Sequence, residues 1–273
     1  MRRFLLATVG ALSVSTIAGA ADIPVYEPAP VVAPLPAYSW TGFYAGVHGG
    51  YSFGENDGNE LEFDNDGDGI FDDVLAAFAP GVNNPDVYQS DFDDGINVGG
   101  RLGYDWQFGM FVLGAAVDAS YVDVDDFVNG ISVTPADYTF ERDLDFLATG
   151  RLRGGLAFDR FLIYATGGVA YGSIETDFVS NTGATIVTED SGDDGAWGYT
   201  VGGGVEALLT PRISIGLEYL YTDLDADTAE VTLSGPGAPG GPFGAGTDIR
   251  PTDDEFDFHT IRGVLTYRFN SGM

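Results

Sequence analysis

Apolar side chains fall on every second position in eight separate segments of the chain, and that period constrains the fold more than any other feature. TGFYAGVHGGYSF (41–53) puts Phe43, Ala45, Val47, Gly49, Tyr51 and Phe53 on one face and Tyr44, Gly46, His48, Gly50 and Ser52 on the other. Successive side chains of a strand point to opposite faces, so this alternation predicts β-structure. The texture returns at 96–108, 111–121, 145–158, 161–174, 196–209, 212–221 and 258–269. Each segment runs ten residues or more, whereas about five or six is usual in soluble proteins.

The connections alternate as well. Gly109-Met110, Asp159-Arg160 and a short turn at Thr210-Pro211 join successive strands at one end. Residues 54–95, 122–144, 175–195 and 222–257 are long connections at the other end, and they hold most of the 42 Asp and Glu. Long strands in even number, with short turns at one end and long polar loops at the other, form the pattern of a transmembrane β-barrel. Lipid offers no hydrogen bonds, so a sheet that crosses it must close on itself. A soluble barrel would carry its apolar face inward. Here the apolar faces bear no charge within the strands and gather aromatics at both ends, which marks them as lipid-facing. One rim is expected to hold Trp40, Trp106, Phe108, Phe111, Phe158, Phe161, Tyr267 and Phe269, and the other Tyr51, Phe53, Tyr121, Trp197, Tyr199, Tyr219 and Tyr221. The expected fold is all-β: an eight-stranded antiparallel up-and-down transmembrane β-barrel with long external loops.

By the same parity the charged side chains inside the strands face the barrel interior. They are Arg101, Asp118, Arg151, Arg153, Glu206, Glu218 and Arg262. Isolated buried charges are costly, so these groups are expected to pair. A two-residue hairpin at Gly109-Met110 sets Phe108 against Phe111 and hence Arg101 against Asp118. Eight strands leave an interior that side chains can fill, so the expected barrel is plugged. A narrow ion path is the alternative.

Composition excludes other classes. A net charge of −31 is incompatible with general nucleic-acid binding, which needs cations against phosphate. The chain has no Cys, hence no disulfide and no thiol chemistry, and its eleven basic residues are all Arg. Residues 1–20 have a basic start, an apolar core and a small-residue end, the form of a secretory signal peptide. Residues 21–39 are a Pro-rich linker expected in the periplasm, residues 40–269 form the barrel, and residues 270–273 are a short tail.

WTGFYAGVHGGYSFG (40–54), RLGYDWQFG (101–109), YATGGVAYG (164–172), GYTVGGGVEALL (198–209), EYLYTDL (218–224) and LTYRF (265–269) resemble strands of the alphaproteobacterial small outer-membrane β-barrels, the "porin family" surface proteins. The resemblance spans residues 22–269. It implies an OmpA-like barrel in the Gram-negative outer membrane, with termini in the periplasm and long loops outside. It further implies that Tyr267 and Phe269 form the aromatic end read by the barrel-insertion machinery. Family members serve envelope integrity, act as surface antigens and in some cases bind haemin. None of these activities attaches to particular residues here, and no external ligand is named.

DNDGDGIFDD (64–73) resembles a calcium loop. Asp64, Asp66 and Asp68 occupy ligand positions one, three and five, Gly69 makes the turn, Ile70 offers its carbonyl and Asp72 fills position nine. Position twelve is Leu75 in place of the usual Glu, so the loop is closer to shorter extracellular DxDxDGxxD motifs. Calcium in the first external loop is the one ion this sequence suggests, and no cofactor is required. His48 and His259 are the only histidines and do not form a zinc spacing. A barrel lipid hydrolase would need Ser, His and carboxylate together, and no Ser lies near His259 in sequence. The expected protein is therefore a structural, surface-exposed outer-membrane barrel without enzymatic activity. Its acidic loops are expected to gather divalent cations, and its partners are outer-membrane lipid and lipopolysaccharide. A small porin or uptake barrel is the alternative.

Overall fold

The computed structural model describes residues 38–54, 61–64, 68–71, 88–131, 137–180, 185–190, 195–225, 229–234, 246–252 and 255–269. The chain divides into Met1–Leu35 and Pro36–Met273, and all of the described residues belong to the second unit. The expected signal peptide, nearly all of the linker and the tail at 270–273 lie outside the described residues.

Eight long strands form the barrel: β1 (Gly42–Phe53), β4 (Gly95–Phe108), β5 (Phe111–Ile131), β6 (Asp137–Phe158), β7 (Phe161–Ser180), β9 (Ala196–Leu208), β10 (Ile213–Asp225) and β13 (Glu255–Arg268). They pair antiparallel in the order β5-β4-β1-β13-β10-β9-β7-β6, and β6 returns to β5, so the ring closes. No backbone edge is left to face lipid, the condition that a spanning sheet must meet. Val47, Leu102, Leu113, Leu152, Ile163 and Leu217 are all exposed on the outward face, as an apolar band in hydrocarbon requires.

The short turns set the register. Gly109 adopts φ 64° and Asp159 φ 53°, left-handed conformations suited to two-residue hairpins. Phe108 then opposes Phe111, and Arg101 opposes Asp118. Leu209–Arg212 close the third turn, where the Thr210 hydroxyl accepts from the amides of Arg212 and Ile213 at 3.2 and 3.0 Å.

The long connections depart from expectation, because much of their length is strand rather than loop. β5 and β6 run on through much of 122–144, and β7, β10 and β13 also continue past the expected ends. Among the described residues five short strands occupy parts of the rest: β2 (Leu61–Asp64), β3 (Tyr88–Asp93), β8 (Thr185–Asp190), β11 (Glu230–Ser234) and β12 (Thr247–Pro251). β3 pairs with the β5 extension, and β2-β12-β11-β8 form a separate four-stranded sheet. Solvent explains the difference. Beyond the band the outer face meets water, so outward positions become acidic (Asp123, Asp125, Asp143) and inward ones apolar (Val122, Val124, Val128, Phe140, Leu144). A bulge between Leu144 and Phe146 shifts β6 by one residue, which lets Leu144 and Leu147 both point inward.

The interior is layered. Trp40, Val112, Ala157, Leu162, Tyr164 and Leu208 pack at the short-turn end. Trp40 is 0% exposed, so it is part of this inner floor and not of the lipid-facing rim expected from its sequence. It precedes β1, where strand parity no longer applies. Toward the long-loop end, Val122, Val124, Leu144, Ile174, Leu224, Phe256 and Phe258 close one apolar layer. Leu61, Phe63, Val128, Tyr138, Phe140, Val231 and Ile249 build a second, uniting the four-stranded sheet with the barrel extensions. Charge fills the space between floor and layers.

Asp125 and Asp143 sit directly across β5 and β6. Partial burial, then the hydrogen bond and charge of Asp143, then Asp123 and Asp93, push the Asp125 carboxyl up to about 6. An acid with a raised folded-state pKa holds its proton longer when folded, so its contribution falls as pH rises from about 4 to about 6 and is least favourable above that. Hydrogen exchange across 122–144, corrected for intrinsic rate, should show more protection at about pH 5 than at about pH 7.5. Asp125→Asn should flatten that difference. A wild-type profile without pH dependence would contradict the assignment.

Candidate functional site

Two ionic clusters occupy the barrel lumen. In the upper one Arg101, Arg151 and Arg262 share two carboxylates. Asp118 accepts from Arg101 Nε and Nη2 at 3.2 and 3.1 Å, from Arg151 Nη2 at 2.8 Å and from Arg262 Nη2 at 2.8 Å. Glu218 accepts from Arg101 Nη2 at 2.7 Å, Arg262 Nε at 2.8 Å, Arg151 Nη1 at 3.2 Å and the Tyr164 hydroxyl at 2.9 Å. All five charged side chains are almost fully buried. The planar guanidinium, with donors on several edges, can bridge two carboxylates, which a lysine ammonium on a flexible stem does poorly.

The strands make room for this by pairing large with small. Arg101 has Gly46 beside it on β1, Arg262 has Gly50, Arg151 has Gly168 on β7, and Glu218 has Gly204 on β9. A Cβ at Gly204 would come 2.8 Å from the Tyr164 hydroxyl, so this glycine keeps open the place from which Tyr164 reaches Glu218. The Gly202-Gly203-Gly204 run is thus a packing device within a strand.

The lower cluster joins Arg153 and Arg268 to Asp105 and Glu206. Arg153 donates to both Asp105 oxygens, through Nε at 2.8 Å and through Nη2, and to Glu206 Oε2 at 3.2 Å. Arg268 donates to Asp105 Oδ2 at 2.9 Å, Glu206 Oε1 at 3.3 Å and the Trp40 carbonyl at 2.8 Å. Ser214 Oγ donates to Glu206 at 2.5 Å. The Arg268 guanidinium also lies 4.5 Å from the Trp40 ring centroid, and that of Arg153 lies 4.7 Å from Tyr44. Asp105 and Arg268 are absent from the set expected by sequence, although strand parity carries both. Asp105 lies an even number of positions from Arg101 on β4, and Arg268 an even number from Arg262 on β13.

Pairing on either side of Gly99 also brings together residues far apart in sequence. His48 Nε2 lies 2.9 Å from Ser120 Oγ, and its Nδ1 lies 3.8 Å from Asp118. The set has the composition of a hydrolytic triad but not its geometry. A 3.8 Å separation is too long for the orienting hydrogen bond, and Asp118 already accepts from three arginines. All three side chains are buried inside the barrel. The other histidine, His259, faces outward, with Nδ1 2.8 Å from the Tyr219 hydroxyl and its ring against Tyr221 and Phe53.

The acidic loop is only partly described. Asp64 ends β2 and is buried, and its Oδ2 accepts from the Gly69 amide at 2.8 Å. Asp68 Oδ1 accepts from the Ile70 amide at 2.8 Å, and Gly69 makes its turn at φ 81°. Asp66 and Asp72 lie outside the described residues. Among the described residues no group of three or more His, Asp or Glu converges as a metal site. Tyr267 and Phe269 are exposed at the end of β13, in edge contact at 5.2 Å.

Glu218 is the acceptor that ties the upper cluster together. Glu218→Gln should lower unfolding free energy in detergent micelles by about 3–5 kcal/mol, the scale for breaking a buried ion pair from one side. Glu218→Gln with Arg262→Gln should recover part of that loss, because the cluster's net charge returns to its original value. Urea titration checks both, and a neutral single variant would contradict the role given to Glu218.

The fold and the sequence have relatives among known proteins. The outer membrane protein beta-barrel domain family matches residues 4–269. The 31 kDa outer-membrane immunogenic protein of Brucella melitensis is 30% identical over 273 residues, covering 98% of this chain and 100% of the relative. The 22 kDa outer membrane protein of Rhizobium leguminosarum is 30% identical over 194 residues, covering 69% of this chain and 66% of the relative. Among solved structures, OprG from Pseudomonas aeruginosa matches with a TM-score of 0.53 at 16% identity, covering 85% of this chain and 98% of that one, a likeness of fold. The chain belongs to the outer membrane protein β-barrel family.

Proposed function

We propose that the protein is a structural, surface-exposed outer-membrane barrel, closed to solutes and without enzymatic activity, with its short turns toward the periplasm and its long connections outside. The observation that carries this reading is the filled lumen, in which two ionic clusters lie between the Trp40 floor and the Phe256–Phe258 layer. The Brucella relative's name as an immunogenic protein supports surface exposure. Tyr267 and Phe269 supply the aromatic end for the insertion machinery. In planar bilayers the refolded protein should give no ion steps, and a serine-directed fluorophosphonate should leave Ser120 unlabelled. Stable conductance would favour the small-porin alternative, and labelling of Ser120 would favour a hydrolase.

A second reading concerns cations. Asp93, Asp125, Asp143 and Glu175 align across four neighbouring strands on the outer face, just beyond Tyr121 and Phe146. Such a row lies at headgroup level, where divalent cations would join it to lipopolysaccharide phosphates. The Gly69 turn, closed by Asp64, supports a separate calcium site at 64–72. Calorimetric calcium titration should show saturable binding that Asp66→Ala with Asp68→Ala reduces. Identical isotherms for the two proteins would remove the loop site.

A further inference from the structure

The outward face of β7, β9 and β10 carries an apolar groove of about 460 Å³ near the short-turn end. Two cross-strand rows build it: Phe161–Ala207–Ile215 and Ile163–Val205–Leu217. Ala207 is the smallest member, so the floor dips along β9 between two larger walls. The next outward position on β9 is Gly203, flanked by Ala165 and Tyr219. On β9 the groove's outward floor is Val205 and Ala207, and the side-chain-free Gly203 lies just past its far end.

Two cations stand at its short-turn end. Arg160 precedes Phe161, and its carbonyl accepts from the Leu208 amide at the end of β9. Arg212 precedes Ile213 on the other side of β9. The two backbones bracket β9 at roughly 10 Å, twice the strand spacing. Both arginines are exposed. Every other described arginine reaches a carboxylate on another strand. Among the described residues Arg160 meets as carboxylate only its neighbour Asp159, at 4.0 Å, and its guanidinium lies 5.5 Å from the Tyr38 ring. Arg212 has no ion-pair partner among the described residues.

We propose that this groove is a binding site for an anionic phospholipid, with an acyl chain along β9 and the headgroup phosphate between Arg160 and Arg212. The occupant follows from the surroundings. The groove is continuous with the lipid-facing band, and an acyl chain is the narrow apolar body that a groove between two such rows takes from that band. In a chain of net charge −31, two cations that meet no cross-strand carboxylate among the described residues, at one end of such a groove, select a negative headgroup. The interaction is independent of whether the lumen conducts.

Native mass spectrometry of the refolded barrel, with phosphatidylglycerol and phosphatidylcholine in competition, tests the site. The wild type should retain one phosphatidylglycerol with about a 30-fold preference, each arginine contributing on the scale usual for a basic side chain at an anionic lipid surface. Arg160→Gln with Arg212→Gln should abolish the preference, and the lysine pair should keep most of it. Ala207→Phe, which fills the trough but leaves both cations, should reduce retention. Inorganic phosphate should not displace the lipid. Heat-modifiable migration on gels verifies folding of each variant. No headgroup preference in the wild type, or an undiminished one in the glutamine pair, would overturn the proposal. Unchanged retention in a folded Ala207→Phe variant would overturn the groove's part in it.

Discussion

A peptide group in hydrocarbon has no water to bond, and the rest of this structure depends on meeting that constraint. The β6–β5 pairing closes the ring, so every barrel strand has a neighbour on both sides. Closure turns the two faces of each strand toward different solvents. Within the membrane the outside is apolar and the inside charged. Past Tyr121 on β5 the arrangement reverses, with Asp123 and Asp125 outside and Val122 and Val124 inside. One continuous strand therefore obeys membrane rules over part of its length and soluble-protein rules over the rest.

The ionic lumen has a consequence for register. Side chains alternate with period two, so a slip of one residue would turn Arg101, Asp118, Arg151 and Glu218 toward lipid. A cationic side chain on the lipid face near the midplane costs about 2–4 kcal/mol. Several such residues on different strands penalise every shifted pairing at once. The clusters also require close approach across a narrow barrel, which is why glycines lie beside the large charged side chains. Arginine suits this better than lysine, because each guanidinium touches two carboxylates on different strands and so ties distant parts of the ring together.

The barrel is legible in the sequence because its signals are local. Alternation marks the strands, and the Gly109-Met110 hairpin sets the Arg101–Asp118 register from a count of residues. Parity carries Asp105 and Arg268 into the lumen in the same way, although the sequence reading leaves both out. What escapes depends on nonlocal pairing or on a change of solvent. His48 meets Ser120 across Gly99 of the intervening β4, a contact two strands apart that depends on the registers of both pairings and on the absence of a side chain between them. The extensions read as loops because their outward positions are acidic, which hides a period that their inward positions still keep. Trp40 has no strand parity to read, and its place inside depends on Arg268 reaching back from the far end of the chain.

The four-stranded sheet changes what the long-loop end is. β2 comes from the first long connection, β8 from the third, and β11 and β12 from the fourth. Their pairing puts segments far apart in sequence into one layer, with Asp248 opposite Asp64 and Arg250 beside Glu62 at 3.0 Å. The apolar side of that layer packs on Val128, Tyr138 and Phe140 from the β5 and β6 extensions. An acidic residue displayed there is therefore held by backbone pairing and by a buried apolar cluster rather than by a separate loop. Asp64 and Asp248 face each other across β2 and β12, and Asp64 is held there by those contacts and by the Gly69 amide. A change in one connection then alters the support of the others.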